Sequence, residues 1–121
     1  MADWNCWNKA NMIEDTLKKI EARIRAADTI AGDRRGELLQ LLGTLHSEVA
    51  ELSKTHGEHA ESIASFAELS AREATRTQRN PRLLELSLAG LSSSVEEFQQ
   101  SHPRLVEIAN AISNALASLG I

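Results

Sequence analysis

The stretch from Leu38 to Phe66, LLQLLGTLHSEVAELSKTHGEHAESIASF, decides how this chain folds. Within it, side chains suited to a helix interface recur at alternating steps of four and three residues: Leu38, Leu42, Leu45, Val49, Leu52, His56, His59, Ile63 and Phe66. This spacing keeps them on one face of an α-helix, where partner helices pack. The stretch therefore predicts a helix with a continuous seam.

We predict that the seam belongs to a single long helix over residues 34–78, because no proline separates Arg34 from Pro81. Gly57 is the candidate break, and a kink there is left open. A helical glycine costs only about 1 kcal/mol relative to alanine, and the seam keeps its phase across Gly57. Such a helix would span roughly 65 Å at ~1.5 Å per residue.

A second stripe of small residues runs beside the seam on the same helix. Its members are Gly43, Ala50, Ser53, Gly57, Ala60, Ala64, Ala67, Ala71 and Ala74. A row of small side chains lets a neighbouring backbone approach closely, although alanine is also simply a good helix former. We therefore expect two different helical neighbours for the long helix.

Three further helices are indicated by the same spacing and by capping signals. They are predicted over residues 12–27, 81–100 and 103–119. Asn80 is suited to cap the second of these, with Pro81 at its first helical position. The apolar spacing and these turns together predict an all-α helical bundle, in which shorter antiparallel helices pack along the long central one.

Residues 1–11 lack the periodicity and are predicted to be a disordered or non-native tail before a single helical domain at residues 12–121. Met12 is an alternative first residue, in which case the tryptophans of the tail carry no function. Cys6 is the single cysteine. It cannot form an internal disulfide, which fits a reducing cytoplasm.

Composition favours a cytoplasmic protein that binds no nucleic acid. Aromatic residues make up 3% of the chain and tyrosine is absent. Because strands favour aromatic residues, this composition argues for helices. The formal net charge is -4, and no basic patch with interleaved aromatics marks a nucleic-acid surface. No apolar stretch approaches the ~20 residues that a membrane span requires.

The predicted helix lengths leave the bundle incomplete. The first helix covers the long helix only before about His56, so residues 57–76 lack a cover within the chain. We therefore expect a homodimer, parallel or antiparallel, completed by a second chain. The residues expected at this interface are Leu52, His56, His59, Ile63 and Phe66.

His56 and His59 are the main candidates for a chemical role. They stand three positions apart on one helical face, a spacing at which one metal ion can bind both imidazoles. Neither follows a glutamate three residues earlier, as in di-iron bundles. A polar layer that fixes the helix register is the favoured interpretation, and a pH-sensitive layer or a metal site is the alternative. No nucleophile motif or phosphate-binding loop occurs, so we expect no enzyme and no cofactor.

The leading functional hypothesis is a structural or protein–protein interaction module that forms a homo-oligomer or binds an unidentified protein. A metal-binding bundle centred on His56 and His59 is the second hypothesis. Peripheral membrane association through the last helix ranks lowest, because that helix lacks the basic flank expected for anionic lipid surfaces.

The C-terminal third carries a family resemblance in two segments: EFQQSHPRL at residues 97–105 and ALASLGI at residues 115–121. With these segments the chain resembles a small bacterial family known only as domain of unknown function 4404. The resemblance covers residues 12–121 and is most specific over the last 25 or so. It implies a short helical protein with no assigned activity, and it transfers no catalytic or ligand-binding residue.

Overall fold

A computed structural model describes the backbone of residues 2–119 and the side chains of residues 11–119. That part of the chain is all-helical and contains no strand, which confirms the predicted all-α class. The helices are α1 (Ala2–Ala26), α2 (Gly32–Ser53), α3 (Gly57–Ala74), α4 (Pro81–Val95) and α5 (Pro103–Leu119), with a short 3-10 helix at Glu96–Phe98. No helix within these residues has the length and hydropathy needed to cross a membrane.

The helices form an up-and-down bundle with α3 at its centre. Helix α3 packs against each of the four other helices, and α5 packs against α2, α3 and α4. Contacts at both ends show that α2 and α5 are antiparallel. Arg34, near the start of α2, donates a 2.7 Å hydrogen bond to Ser118, near the end of α5. Arg104, near the start of α5, lies 3.9 Å from Glu48, near the end of α2.

A single apolar core runs through the bundle. The predicted four-three stripe of α1 is buried, and so is the stripe of α2 up to Leu52. Helix α5 adds branched side chains from the opposite side. The large core residues of these three helices are Ile13, Leu17, Ile20, Ile24, Leu38, Leu42, Leu45, Val49, Leu52, Leu105, Val106, Ile112 and Leu116.

The predicted single helix over residues 34–78 is wrong, because the chain leaves helical geometry at His56 and folds back. His56 has φ of -133° and ψ of 61°. Its amide still donates to the Leu52 carbonyl at 2.8 Å, which closes α2, and its carbonyl accepts from Ala60 at 2.9 Å, which opens α3. Gly57 is therefore the first residue of α3 and not a kink within a longer helix.

In α3 the small-residue stripe faces the core, and Ile63 is the one member of the large-residue seam that is buried with it. Ala60, Ala64, Ala67, Ala71 and Ala74 are each at most 1% exposed, whereas His56 and His59 are exposed. A helix surrounded by four others needs small side chains, because these let neighbouring backbones approach. The seam looked continuous in the sequence only because the two histidines occupy its spacing across the turn.

The turn between α1 and α2 is held by Arg35, whose guanidinium donates to three backbone carbonyls. The acceptors are Ala27 at 2.5 Å, Ile30 at 3.0 Å and Ile24 at 3.2 Å. The last four carbonyls of a helix lack partners within the helix. Arg35 supplies such partners at the end of α1, and the periodicity of the sequence gives no sign of this role.

Helix α4 begins with the cap that the sequence indicates. The Asn80 side-chain oxygen accepts hydrogen bonds from the amides of Arg82 at 3.1 Å and Leu83 at 3.2 Å, and Pro81 follows at the first helical position. The far end differs from the predicted range of 81–100. The α-helix ends at Val95, and the 3-10 helix completes it.

Helix α1 begins at Ala2, ten residues before the predicted start. The side chains of residues 1–10, among them Trp4, Cys6 and Trp7, lie outside the described residues. The assignment of residues 1–11 to a disordered or non-native tail therefore stays a prediction.

We predict that Ser70→Ala stabilises the bundle. Ser70 lies on the buried face of α3, and its hydroxyl has no hydrogen-bond partner. An unsatisfied buried polar group costs about 1–3 kcal/mol, so its removal should raise the free energy of unfolding by about 1 kcal/mol, as measured by urea denaturation. Ser65→Ala, at an exposed position of the same helix, is the matched control for the change in helix propensity.

We also predict that alanine has opposite effects at two helical glycines. At Gly43 an added Cβ meets no atom within 4 Å, so Gly43→Ala should stabilise by up to about 1 kcal/mol. At Gly90 the Cβ would overlap the Phe66 ring, so Gly90→Ala must displace that ring and should destabilise by about 1 kcal/mol. Thermal unfolding of both variants measures the difference, and equal stabilisation would contradict the close packing of α3 on α4.

Candidate interaction surface and histidine cluster

The five residues predicted at a subunit interface occupy three different environments. Leu52 and Ile63 are each 0% exposed within the single chain. His56 and His59 lie at the α2–α3 turn and are exposed. Phe66 is half-buried between α3 and α4. The structure therefore does not gather these side chains into one surface.

The premise of that predicted interface is wrong, because residues 57–76 are covered within the chain. The sharp turn at residues 54–56 lays α3 back along the bundle, where α1, α2, α4 and α5 all pack against it. If residues 34–78 continued as one helix, its second half would extend beyond the first helix and lack a cover. Self-association, if it uses apolar contacts, must use a different surface.

Three histidines surround one phenylalanine at the end of the bundle that holds the α2–α3 turn. The ring centroid of Phe98 lies 5.3 Å from that of His56, 5.3 Å from that of His59 and 5.8 Å from that of His102. All three contacts are edge-to-face, the geometry that aromatic rings prefer. Phe98 is 3% exposed, so the histidines cover it and join the α2–α3 turn to the connection before α5.

Each histidine of this cluster also has a polar partner. The Nδ1 of His56 lies 2.8 Å from the Thr55 hydroxyl, and that of His102 lies 3.0 Å from the Ser101 hydroxyl. The Nδ1 of His59 lies 3.4 Å from a Glu97 carboxylate oxygen. The sequence analysis did not foresee that His102 and Phe98 complete the group, although their four-residue spacing places both at one turn.

The histidine cluster offers no ligand set for a metal ion. Among the described residues, no group of three or more His, Cys, Asp or Glu side chains could hold a metal. The Phe98 ring contacts all three imidazoles, and an aromatic hydrocarbon supplies no ligand atom. The hypothesis of a metal-binding bundle centred on His56 and His59 therefore receives no support.

Much of the apolar surface of the last helix is buried within the chain. Leu105, Val106, Ala109, Ile112 and Leu116 of α5 are buried, and α5 contacts α2, α3 and α4. Beyond Glu107, α5 carries no charged side chain, which fits this packed position.

Large apolar side chains are exposed mainly on the hairpin formed by α3 and α4. Leu69 is 37% exposed, Leu83 42% and Leu86 50%, and in the described residues Met12 on α1 is the one other large apolar residue of this kind. We call the surface formed by Phe66, Leu69, Leu83 and Leu86 the α3–α4 face. The sequence analysis placed Phe66 at an interface but did not identify the three leucines.

The contact between Phe66 and Gly90 sets the register of this face. The Phe66 ring lies where a side chain at position 90 would stand, so α3 and α4 meet there. Because consecutive helices run in opposite directions, Leu69 lies level with residues 86–87 and adjoins Leu86. Leu83 continues the row by one more turn. From this register we infer that the four side chains form one apolar strip.

Charged residues are segregated toward the two ends of this strip. Near the start of α3 and the end of α4 stand four glutamates, namely Glu58, Glu61, Glu96 and Glu97. Near the α3–α4 turn stand four arginines, namely Arg72, Arg76, Arg79 and Arg82, together with Glu68, Glu73 and Glu85. The strip is thus apolar in the middle, acidic at one end and basic at the other.

Comparison with known proteins places this chain in a family. A family model described as "Domain of unknown function (DUF4404)" matches residues 38–121, which is well over half of the chain. The match begins within α2, so α1 lies before it. Comparisons with curated proteins and with solved structures gave no match. The resemblance inferred from the C-terminal segments is confirmed, and the chain belongs to the DUF4404 family.

Proposed function

We propose that this protein is a helical interaction module that self-associates through the α3–α4 face. The observation that carries the proposal is the exposure of Leu69, Leu83 and Leu86 on one hairpin, whose register is set by the contact of Phe66 with Gly90. Single exposed apolar residues are ordinary on protein surfaces, but contiguous ones flanked by charged residues mark interaction sites. A central apolar strip with a charged rim is also the usual composition of a protein–protein interface.

The size of the face supports a weak or transient pair. Helix α3 has 18 residues, which gives a length of about 27 Å at ~1.5 Å per residue. Two helices side by side are about 20 Å wide, so the projected area is roughly 500 Å². Specific interfaces bury about 600–1,000 Å² per partner, so the area of the hairpin alone lies slightly below that range.

The proposal replaces the dimer expected from the sequence with one that leaves the core intact. In that earlier expectation two chains shared the seam containing Leu52 and Ile63, which requires those side chains to be exposed in each separate chain. Here each chain is a complete bundle and the partner contacts its outer surface. The proposed role is binding, without a catalytic step or a cofactor, and we expect it in the cytoplasm because the single cysteine fits a reducing compartment.

A second protein that binds the same face is the alternative partner. The charged ends favour a second copy over a different protein, because the acidic end of one copy complements the basic end of another copy that runs in the opposite direction. A monomeric protein at all concentrations would therefore redirect the search to an unrelated partner with a complementary strip.

We predict that Leu86→Gln weakens self-association by about tenfold or more, because burial of a leucine side chain contributes about 1.5–3 kcal/mol. Sedimentation equilibrium, extended to about 1 mM because the interface is small, measures the dissociation constant. Met12→Gln is the matched control, since Met12 is an equally exposed apolar residue on α1.

The control variant should associate like the unmodified protein. The proposal fails if the unmodified protein is monomeric over the whole range, or if the two variants weaken association equally. Circular dichroism spectra of both variants should match that of the unmodified protein, because neither side chain belongs to the core.

A further inference from the structure

The charges on the α3–α4 hairpin are ordered along its length. In α3 no lysine or arginine occurs before Arg72, and in α4 none occurs after Arg82. All the basic residues of the hairpin therefore stand at the end where α3 and α4 connect. The opposite end, where α3 begins and the 3-10 helix follows α4, carries glutamates and the partly exposed histidine cluster.

Ion pairs within the hairpin leave this polarity in place. Arg76 lies 2.8 Å from Glu73, and Arg72 lies 3.7 Å from Glu68. Arg82 lies 3.7 Å from Glu85, with both side chains more than 70% exposed. The Arg82–Glu85 pair is exposed and therefore weak, whereas Glu73 is buried beside Arg76. Between residues 68 and 85 four arginines stand against three glutamates, so this end keeps an excess of one positive charge.

We propose that two copies of this chain pair through their α3–α4 faces about a two-fold axis perpendicular to the helices, so that α3 of one copy runs antiparallel to α3 of the other. This inference rests on the proposed self-association and specifies its geometry. In this arrangement the acidic end of each copy meets the basic end of its partner. Leu69 and Leu86 meet their own copies near the axis, and Phe66 and Leu83 lie on either side of it.

The alternative with parallel helices is disfavoured by charge. A two-fold axis parallel to the helices would place four glutamates opposite four glutamates and four arginines opposite four arginines. Juxtaposed like charges oppose association, and complementary potentials fix the register of an interface. In the antiparallel arrangement opposite charges meet at both ends. Both copies use the same surface, as a symmetric dimer requires.

The test exchanges the charges of the two ends. One variant carries Glu58→Arg and Glu61→Arg, a second carries Arg79→Glu and Arg82→Glu, and a third combines all four changes. Antiparallel pairing predicts that the first two variants each associate at least tenfold more weakly, because like charges then meet at both ends. The third variant again places opposite charges at the four exchanged positions, while the other charges of both ends keep their signs, and it should associate within about threefold of the unmodified protein.

Disulfide trapping gives a second, independent measurement in a Cys6→Ser background. One chain carries Glu58→Cys at the acidic end and another carries Arg79→Cys at the basic end. In an equimolar mixture, antiparallel pairing predicts that the mixed disulfide predominates over both symmetric ones, as read by mass spectrometry. Predominance of the symmetric disulfides would overturn the antiparallel geometry.

The outcomes separate this inference from the proposed function. Suppose that the unmodified protein is a dimer that Leu86→Gln weakens, but that the variant with all four charge changes associates as weakly as the two partial variants. Self-association then stands and the antiparallel geometry is wrong. If the unmodified protein is monomeric, both proposals fail. Weakening by each partial exchange together with recovery in the full exchange supports the antiparallel dimer.

Discussion

Close approach of four helices to α3 is the constraint on which the rest of this structure depends. The faces that α3 turns inward are made mainly of alanines, with Ser70, Ile63 and Glu73, and the small side chains among them fill little space between helix axes. Most of the leucines and isoleucines that fill the core come from the surrounding helices. If α3 carried large residues on those faces, its neighbours would be forced outward, and a single chain of this length could not close around it.

The turn before α3 is the second part of the same arrangement. A turn of three residues brings α3 back beside α2, so that the small side chains of α3 face the leucines of α2. The histidines at this turn then meet Phe98 and His102 from the α4–α5 connection. The outer side of α3 remains for Phe66 and Leu69, which is why the apolar strip of the hairpin lies on the surface and not in the core.

The sequence was informative where a local signal determined local structure. The cap at Asn80 and Pro81 and the range of the last helix coincide with the structure, because capping and proline geometry act within a few residues. The break at residues 54–56 could not be read from periodicity, since the exposed His56 and His59 occupy the spacing of the seam across the turn. Nor could the α3–α4 face be foreseen, because the exposure of Leu83 and Leu86 depends on which stripe of each helix turns inward.

The shortness of the α2–α3 turn also bears on how fast the chain finds its fold. Loops of about ten residues close within about 10–100 ns, and bundles whose contacts are mostly between neighbouring segments fold in microseconds to milliseconds. The α2–α3 pair closes the smallest loop between any two helices of the bundle, with only Lys54, Thr55 and His56 between them. It is therefore suited to form early and to present the alanine stripe as a template on which α1, α4 and α5 assemble.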